Sequence, residues 1–123
     1  MAETNKNILV IDDDDEIRDF IEQVLLSRYS VTLASTAEDG IKKMQAAKYD
    51  LILVDLQIGG ASGFDVLSEI RKLNPVPRSI MMSSFTTLNY QSMAEKLGAS
   101  DYLYKPFEYP ALLEAIEKAL NRA

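Results

Sequence analysis

The 123-residue chain contains no cysteine and no histidine. The first absence excludes disulfides, thiolate metal sites and a cysteine nucleophile. The second removes the commonest general base and the commonest zinc ligand. Chemistry in this chain therefore falls to carboxylates, hydroxyls, amines and backbone groups. Long apolar runs are also missing: none approaches the ~20 residues that span a bilayer, and Met1 to Asn7 carries no signal-peptide-like apolar stretch. A cytoplasmic location is the expectation. Basic charge is scarce as well. Against 19 acidic residues stand 13 basic ones, a formal net charge of −6. Such a surface repels phosphate backbones and anionic lipid, so direct nucleic-acid or membrane contact is not expected.

What is present is an ordinary globular balance, 47% apolar and 26% charged, in a chain of one-domain length. Short continuous aliphatic runs alternate with segments of helical period. Ile8 to Ile11 stops abruptly at four aspartates, Asp12 to Asp15. Ile17, Phe20, Ile21, Val24 and Leu25 then mark one helical face. Asp14 or Asp15 can cap that helix, whose positive end suits the neighbouring acids. Tyr29 to Ala34 reads as a strand bounded by Ser35 and Thr36; Ala37, Ile41 and Met44 mark a second helix. Leu51 to Val54 is another aliphatic strand, closed by Asp55. A loop over Gly59, Gly60, Ser62 and Gly63 follows, then a helix striped by Phe64, Leu67, Ile70 and Leu73 that Pro75 and Pro77 end. Ile80 to Met82 is a buried strand leading into Ser83 and Ser84. A weaker helix runs from about Thr87 to Leu97, with Gly98 as its stop. Asp101 to Tyr104 is a short fifth strand before Lys105-Pro106, and Leu112, Leu113, Ile116, Ala119 and Leu120 stripe a closing helix.

Five aliphatic strands alternating with five helices predict an α/β domain, a doubly wound parallel sheet covered on both faces. Residues 1–123 are expected to form this one domain, with its core at about 7–119 and no room for an output domain. In such sheets ligands sit beyond the carboxyl ends of the strands. Those ends carry Asp12 and Asp13, Asp55, Ser83 and Ser84, and Lys105. Crowded carboxylates repel unless a cation joins them. Mg2+ answers that need, using few carboxylates together with waters and a phosphate. A carboxylate, a metal, a lysine and a hydroxyl together describe phosphoryl transfer to a carboxylate nucleophile. Taken singly, Asp12 to Asp15 and Asp55 read as helix caps, Lys105 as a surface charge, Ser83 as a loop residue and Tyr102 as a core aromatic. Their joint placement at one edge favours the site. Met81 and Met82 read as core.

The chain resembles the receiver domain of bacterial two-component response regulators, the chemotaxis-regulator-like superfamily. The resemblance rests on Ile-Leu-Val-Ile-Asp-Asp at 8–13, Asp-Leu-Ile-Leu-Val-Asp at 50–55, Ser83, and Gly-Ala-Ser-Asp-Tyr-Leu-Tyr-Lys-Pro-Phe at 98–107. It implies a flavodoxin-like (βα)5 fold with strand order 2-1-3-4-5. It implies that Asp55 is the phosphoacceptor, with Mg2+ (or Mn2+ in substitution) held by Asp13, Asp55 and the Gln57 carbonyl, and by Asp12 mainly through water. Lys105 and Ser83 would meet phosphoryl oxygens, and Tyr102 would be the switch aromatic. Lys105-Pro106 would be a cis bond. The donor would be a histidine kinase or histidine phosphotransfer protein. The output would be an unknown downstream protein or linked domain reached through the fourth helix, fifth strand and fifth helix, a face that also offers a homodimer contact. Such a protein modifies itself and is not an enzyme with turnover on a free substrate.

Two positions depart from the family pattern. Gly59 stands where proline is usual, so a looser loop is expected there, and Ser83 lacks the methyl of threonine. The resemblance implies that Phe85 and Gln57 tune phosphoryl loss. Two other classes were weighed. A haloacid-dehalogenase-type phosphatase would start with a similar aspartate run, but it leaves Asp55 without a role and needs acids where Ser83 and Ser84 stand. A degenerate receiver serving only as a binding module would have lost the acceptor, the acidic pair or the lysine, and all are present.

Overall fold

A computed structural model describes residues 6–85 and 88–121. Chain order runs β1 (Asn7–Ile11), α1 (Asp15–Leu25), β2 (Ser30–Ala34), α2 (Ala37–Ala46), β3 (Leu51–Asp55), β4 (Gln57–Ile58), β5 (Ala61–Ser62), α3 (Gly63–Ile70), β6 (Arg78–Ser83), α4 (Leu88–Lys96), β7 (Asp101–Tyr104) and α5 (Tyr109–Leu120). The main sheet is parallel, in the order β2-β1-β3-β6-β7. Leaving aside the two-residue strands β4 and β5, this is the expected 2-1-3-4-5.

The aliphatic runs are continuous because the sheet is covered on both sides. Leu9, Ile11, Ile52, Val54 and Met81 pack with Met44, Val66, Leu67, Ile70 and Ala94, under α2, α3 and α4. Ile8, Val10, Leu51, Leu53, Ile80 and Met82 pack instead with Ile21, Leu25, Leu112, Ile116 and Ala119 of α1 and α5. Successive residues of a strand thus face opposite cores, which is why no polar residue interrupts them. Both methionines of β6 are fully buried, one on each side.

Helix starts follow capping chemistry. Asp14 caps α1, accepting from the N–H groups of Glu16 and Ile17, and Thr36 caps α2. Gly98, at φ +99°, ends α4 while Ala99 N–H returns to the Ala94 carbonyl at 2.9 Å. Some boundaries differ from the expectation by a few residues. β2 begins at Ser30 rather than Tyr29. α3 stops at Ile70, and Leu73 packs from the turn beyond it. Thr87 lies outside the described residues.

The larger correction concerns 59–63, expected to be a loop. Gln57–Ile58 and Ala61–Ser62 pair as a tight antiparallel hairpin with Gly59 at φ +61°, and Gly63 is already helical. The reason is local. Gly63 N–H donates to the Leu56 carbonyl at 2.6 Å, and the missing side chain lets α3 begin against the end of β3. A Cβ at 63 would land on the Asp55 carbonyl oxygen, whereas one at Gly60 would meet nothing within 4 Å. We therefore expect Gly63→Ala to destabilise by about 1–3 kcal/mol through overpacking. Gly60→Ala should stay within about 0.5 kcal/mol. Urea unfolding of the two variants checks this.

Candidate functional site

Three backbone ladders run past their strands and hold the polar residues that follow. Asp12 N–H donates to the Ala34 carbonyl at 3.1 Å, Leu56 N–H to Met82 at 2.9 Å, and Lys105 N–H to Ser83 at 2.8 Å. The carboxyl ends of β1, β3, β6 and β7 therefore meet at one edge. The first three aspartates of the acidic run divide the tasks there. Asp12 is fully buried; its carboxylate accepts from Asp14 N–H at 2.9 Å and from Lys105 Nζ at 2.8 Å. Asp13 is exposed and accepts from Gly59 N–H at 2.8 Å. Asp14 is the α1 cap.

Asp55, the last residue of β3, is buried and lies 3.3 Å from Lys105 Nζ. It does not cap the next helix, because Ser62 does, accepting from Phe64 N–H at 3.1 Å. Carboxylate oxygens of Asp12, Asp13 and Asp55 all fall within 4.8 Å of one another. Burial pushes the Asp55 carboxyl up from its ordinary 3.8 to about 6; the charge of Asp12 adds to the rise, and Lys105 holds it back. Burial also works against the Lys105 ammonium, but the hydrogen bond and charge of Asp12, with Asp55, outweigh it and raise the lysine.

Ser83 closes the edge. It is buried; its Oγ accepts from Phe85 N–H at 2.9 Å, and its side chain also interacts with the Tyr102 hydroxyl. Tyr102 is buried beneath it, with its hydroxyl donating to the Phe85 carbonyl at 3.3 Å. Burial pushes that phenol up. Lys105-Pro106 is cis. Asp13, Asp55, Gln57, Ser83, Phe85 and Lys105 face a shared cavity of about 250 Å³. A cleft of about 260 Å³ at the opposite edge, against Tyr49, Leu73 and Pro75, contains none of the expected site residues. The structure thus brings together every residue singled out from the sequence, with Tyr102 one layer deeper. Gly59 lies in the turn of the hairpin, and its N–H is tied to Asp13. Two features were not foreseen: the close approach at Gly63, and Arg18, whose Nη1 donates to the Asp12 carbonyl at 2.8 Å. The sequence sign of the latter is an arginine three residues after Asp15.

Hard oxygen donors are what a divalent cation such as Mg2+ takes, and this donor set fits one. Asp13 and Asp55 open onto the cavity, while Asp12 is engaged by Lys105.

Comparison with known proteins defines the class. The chain belongs to the response regulator receiver domain family, whose model matches residues 8–117. Receiver domains are signalling modules rather than classical enzymes, and they bind Mg2+ at an acidic pocket. The transcriptional regulatory protein ZraR of Salmonella typhimurium is 35% identical over 115 residues, which is 93% of this chain and 26% of that protein. YvrH of Bacillus subtilis, also a transcriptional regulatory protein, is 34% identical over 96% of this chain and 50% of its own length. The chain thus spans about a quarter to a half of these relatives. Among solved structures, a CheY-like receiver domain protein from Methanospirillum hungatei superposes with a TM-score of 0.90 at 32% identity, covering 96% of this chain and 95% of that one. Chemotaxis regulator CheY4 of Vibrio cholerae gives 0.89 at 25% identity, over 95% and 100%. No helix among the described residues is long and apolar enough to cross a membrane.

The raised Asp55 carboxyl has a stability consequence. With no metal bound, the folded chain holds this proton more tightly than the unfolded chain does. The contribution is fully present below about pH 4 and is lost as pH rises through about 6. Asp55→Asn, which mimics the neutral form, should therefore stabilise the metal-free protein by roughly 1–3 kcal/mol at pH 7.5. The advantage should vanish below pH 4, as urea midpoints in EDTA across pH would show.

Proposed function

We propose that the chain is a phosphorylation-dependent switch in which Asp55 accepts a phosphoryl group in a Mg2+-dependent reaction. The observation that carries this is the convergence of the Asp12, Asp13 and Asp55 carboxylates within 4.8 Å, with Lys105 Nζ 2.8 Å from Asp12 and 3.3 Å from Asp55. Asp13, Asp55 and the Gln57 carbonyl would hold the ion directly and Asp12 through water. Bound there, Mg2+ (or Mn2+) offsets the charge on the transferring group. The donor is the phosphohistidine of a histidine kinase or phosphotransfer protein. An Asp55 oxygen forms the new P–O bond as the P–N bond breaks, and the electron pair leaves with the donor imidazole. Lys105 meets one phosphoryl oxygen and the Ser83 hydroxyl another.

The attached group adds about −1.5 to −2 charge and three acceptor oxygens. Ser83 moving toward it draws on Phe85, since Phe85 N–H is bonded to Ser83 and its carbonyl to Tyr102. The change thus reaches Tyr102 and the α4–β7–α5 face, where a partner, an output domain or a second copy would read it. Only contacts that differ between the two states shift the population. The relatives named as transcriptional regulators are two to four times longer than this chain. With its net charge of −6 this segment acts through protein contact, and DNA contact would fall to other parts of such proteins.

Incubation with Mg2+ and acetyl phosphate or phosphoramidate should add the mass of one phosphoryl group, and Asp55→Ala should abolish the gain. A gain that persists in Asp55→Ala contradicts the assignment. No gain in the folded parent favours a phosphorylation-independent binding module. Tyr102→Ala should still accept the group while losing the coupling to the α4–β7–α5 face; failure to be phosphorylated would remove Tyr102 from the switch role.

A further inference from the structure

We infer that Arg18 is a positioning residue for the metal-holding edge, pinning the turn between β1 and α1 from which Asp13 is presented. Arg18 lies on α1, one turn in, and its guanidinium folds back over the helix start. Nη1 donates to the Asp12 main-chain carbonyl at 2.8 Å, and Nη2 to the Asp15 carboxylate. Its side chain is 16% exposed, against 86% for that of Asp15. An exposed pair three residues apart on a helix would contribute little on its own. The part-buried bond to the Asp12 carbonyl is a different matter, because it acts on the backbone.

The Asp12 carbonyl and the Asp13 N–H belong to one rigid peptide plane. Fixing that carbonyl sets the plane from which the Asp13 side chain departs. Asp12's own carboxylate is secured separately, by Lys105 and by Asp14 N–H. Asp13 has no such burial: it is exposed, and its carboxylate bonds to Gly59 N–H in a two-residue hairpin loop. Its aim depends on the turn. Arg18, planar and forked, reaches the backbone and Asp15 at once, which a lysine cannot do in the same geometry.

The inference rests on the metal reading of this edge, and it makes a prediction opposite in sign to simple electrostatics. Arg18 is a cation beside a cation site, so if charge alone mattered, removing it would tighten metal binding. Positioning predicts the reverse, as with other groups that orient metal ligands. Mn2+ binding to the full chain, followed by water-proton relaxation and repeated with Mg2+ by calorimetry, separates the two without any phosphoryl donor. Arg18→Gln should weaken Mn2+ by about 10-fold. Arg18→Lys, which keeps the charge and most of the stem, should recover only part of that loss. Asp15→Asn should stay within about twofold, because the Asp12 carbonyl contact remains. Affinity in Arg18→Gln and Arg18→Lys equal to or tighter than the parent's would overturn the inference. So would a lowered melting temperature with unchanged affinity in the folded protein, the mark of a purely structural role. A parent that binds no divalent ion would overturn the metal reading and this inference together.

Discussion

The Lys105 ammonium sits between two buried carboxylates, 2.8 Å from Asp12 and 3.3 Å from Asp55. Unit charges about 4 Å apart interact by about 4 kcal/mol at the effective dielectric of a protein's outer layers. Three carboxylates at one sheet edge would therefore repel by several kcal/mol without a counter-charge. One lysine cannot offset all three; burial above all, with the charge of Asp12 adding to it, raises the Asp55 carboxyl. The edge is built short of positive charge. On the function proposed, that shortage would draw a divalent ion, and then a phosphoryl group whose oxygens the same lysine would meet.

The fold exists, in this sense, to hold those charges together. Asp12, Asp55 and Ser83 stand at the ends of strands whose aliphatic side chains are locked in one of two cores. Backbone bonds one residue beyond β1, β3 and β7 carry that rigidity to the edge. Gly63 brings α3 against Asp55, and Gly59 turns the hairpin so that its N–H reaches Asp13. On the other side, Ser83, Phe85 and Tyr102 form one hydrogen-bonded path from the edge to β7. Preorganisation on one side and a hydrogen-bonded path on the other are what the proposed two-state switch would use.

Much of this was legible in the sequence. Ile8 to Ile11 and Leu51 to Val54 could be read as buried parallel strands because an uninterrupted aliphatic run suits a sheet covered twice. Because the strands of such a sheet run parallel, Asp12, Asp55, Ser83 and Lys105 had to share an edge. What escaped depends on distance rather than pattern. A two-residue hairpin has no periodicity to detect, so 59–63 looked like loop. The close packing at Gly63 and the return of Arg18 to the Asp12 carbonyl are contacts of single atoms, invisible to any count of residue types. Whether Asp14 or Asp15 caps α1 was likewise open until the turn was seen.

Reductive trapping tests the central claim most directly. Borohydride converts an aspartyl phosphate to homoserine, and tandem mass spectrometry locates the converted residue. After treatment with Mg2+ and acetyl phosphate, the account predicts homoserine at position 55 and none when Mg2+ is chelated. Homoserine at 12 or 13 in its place, or at 55 irrespective of the metal, would contradict it.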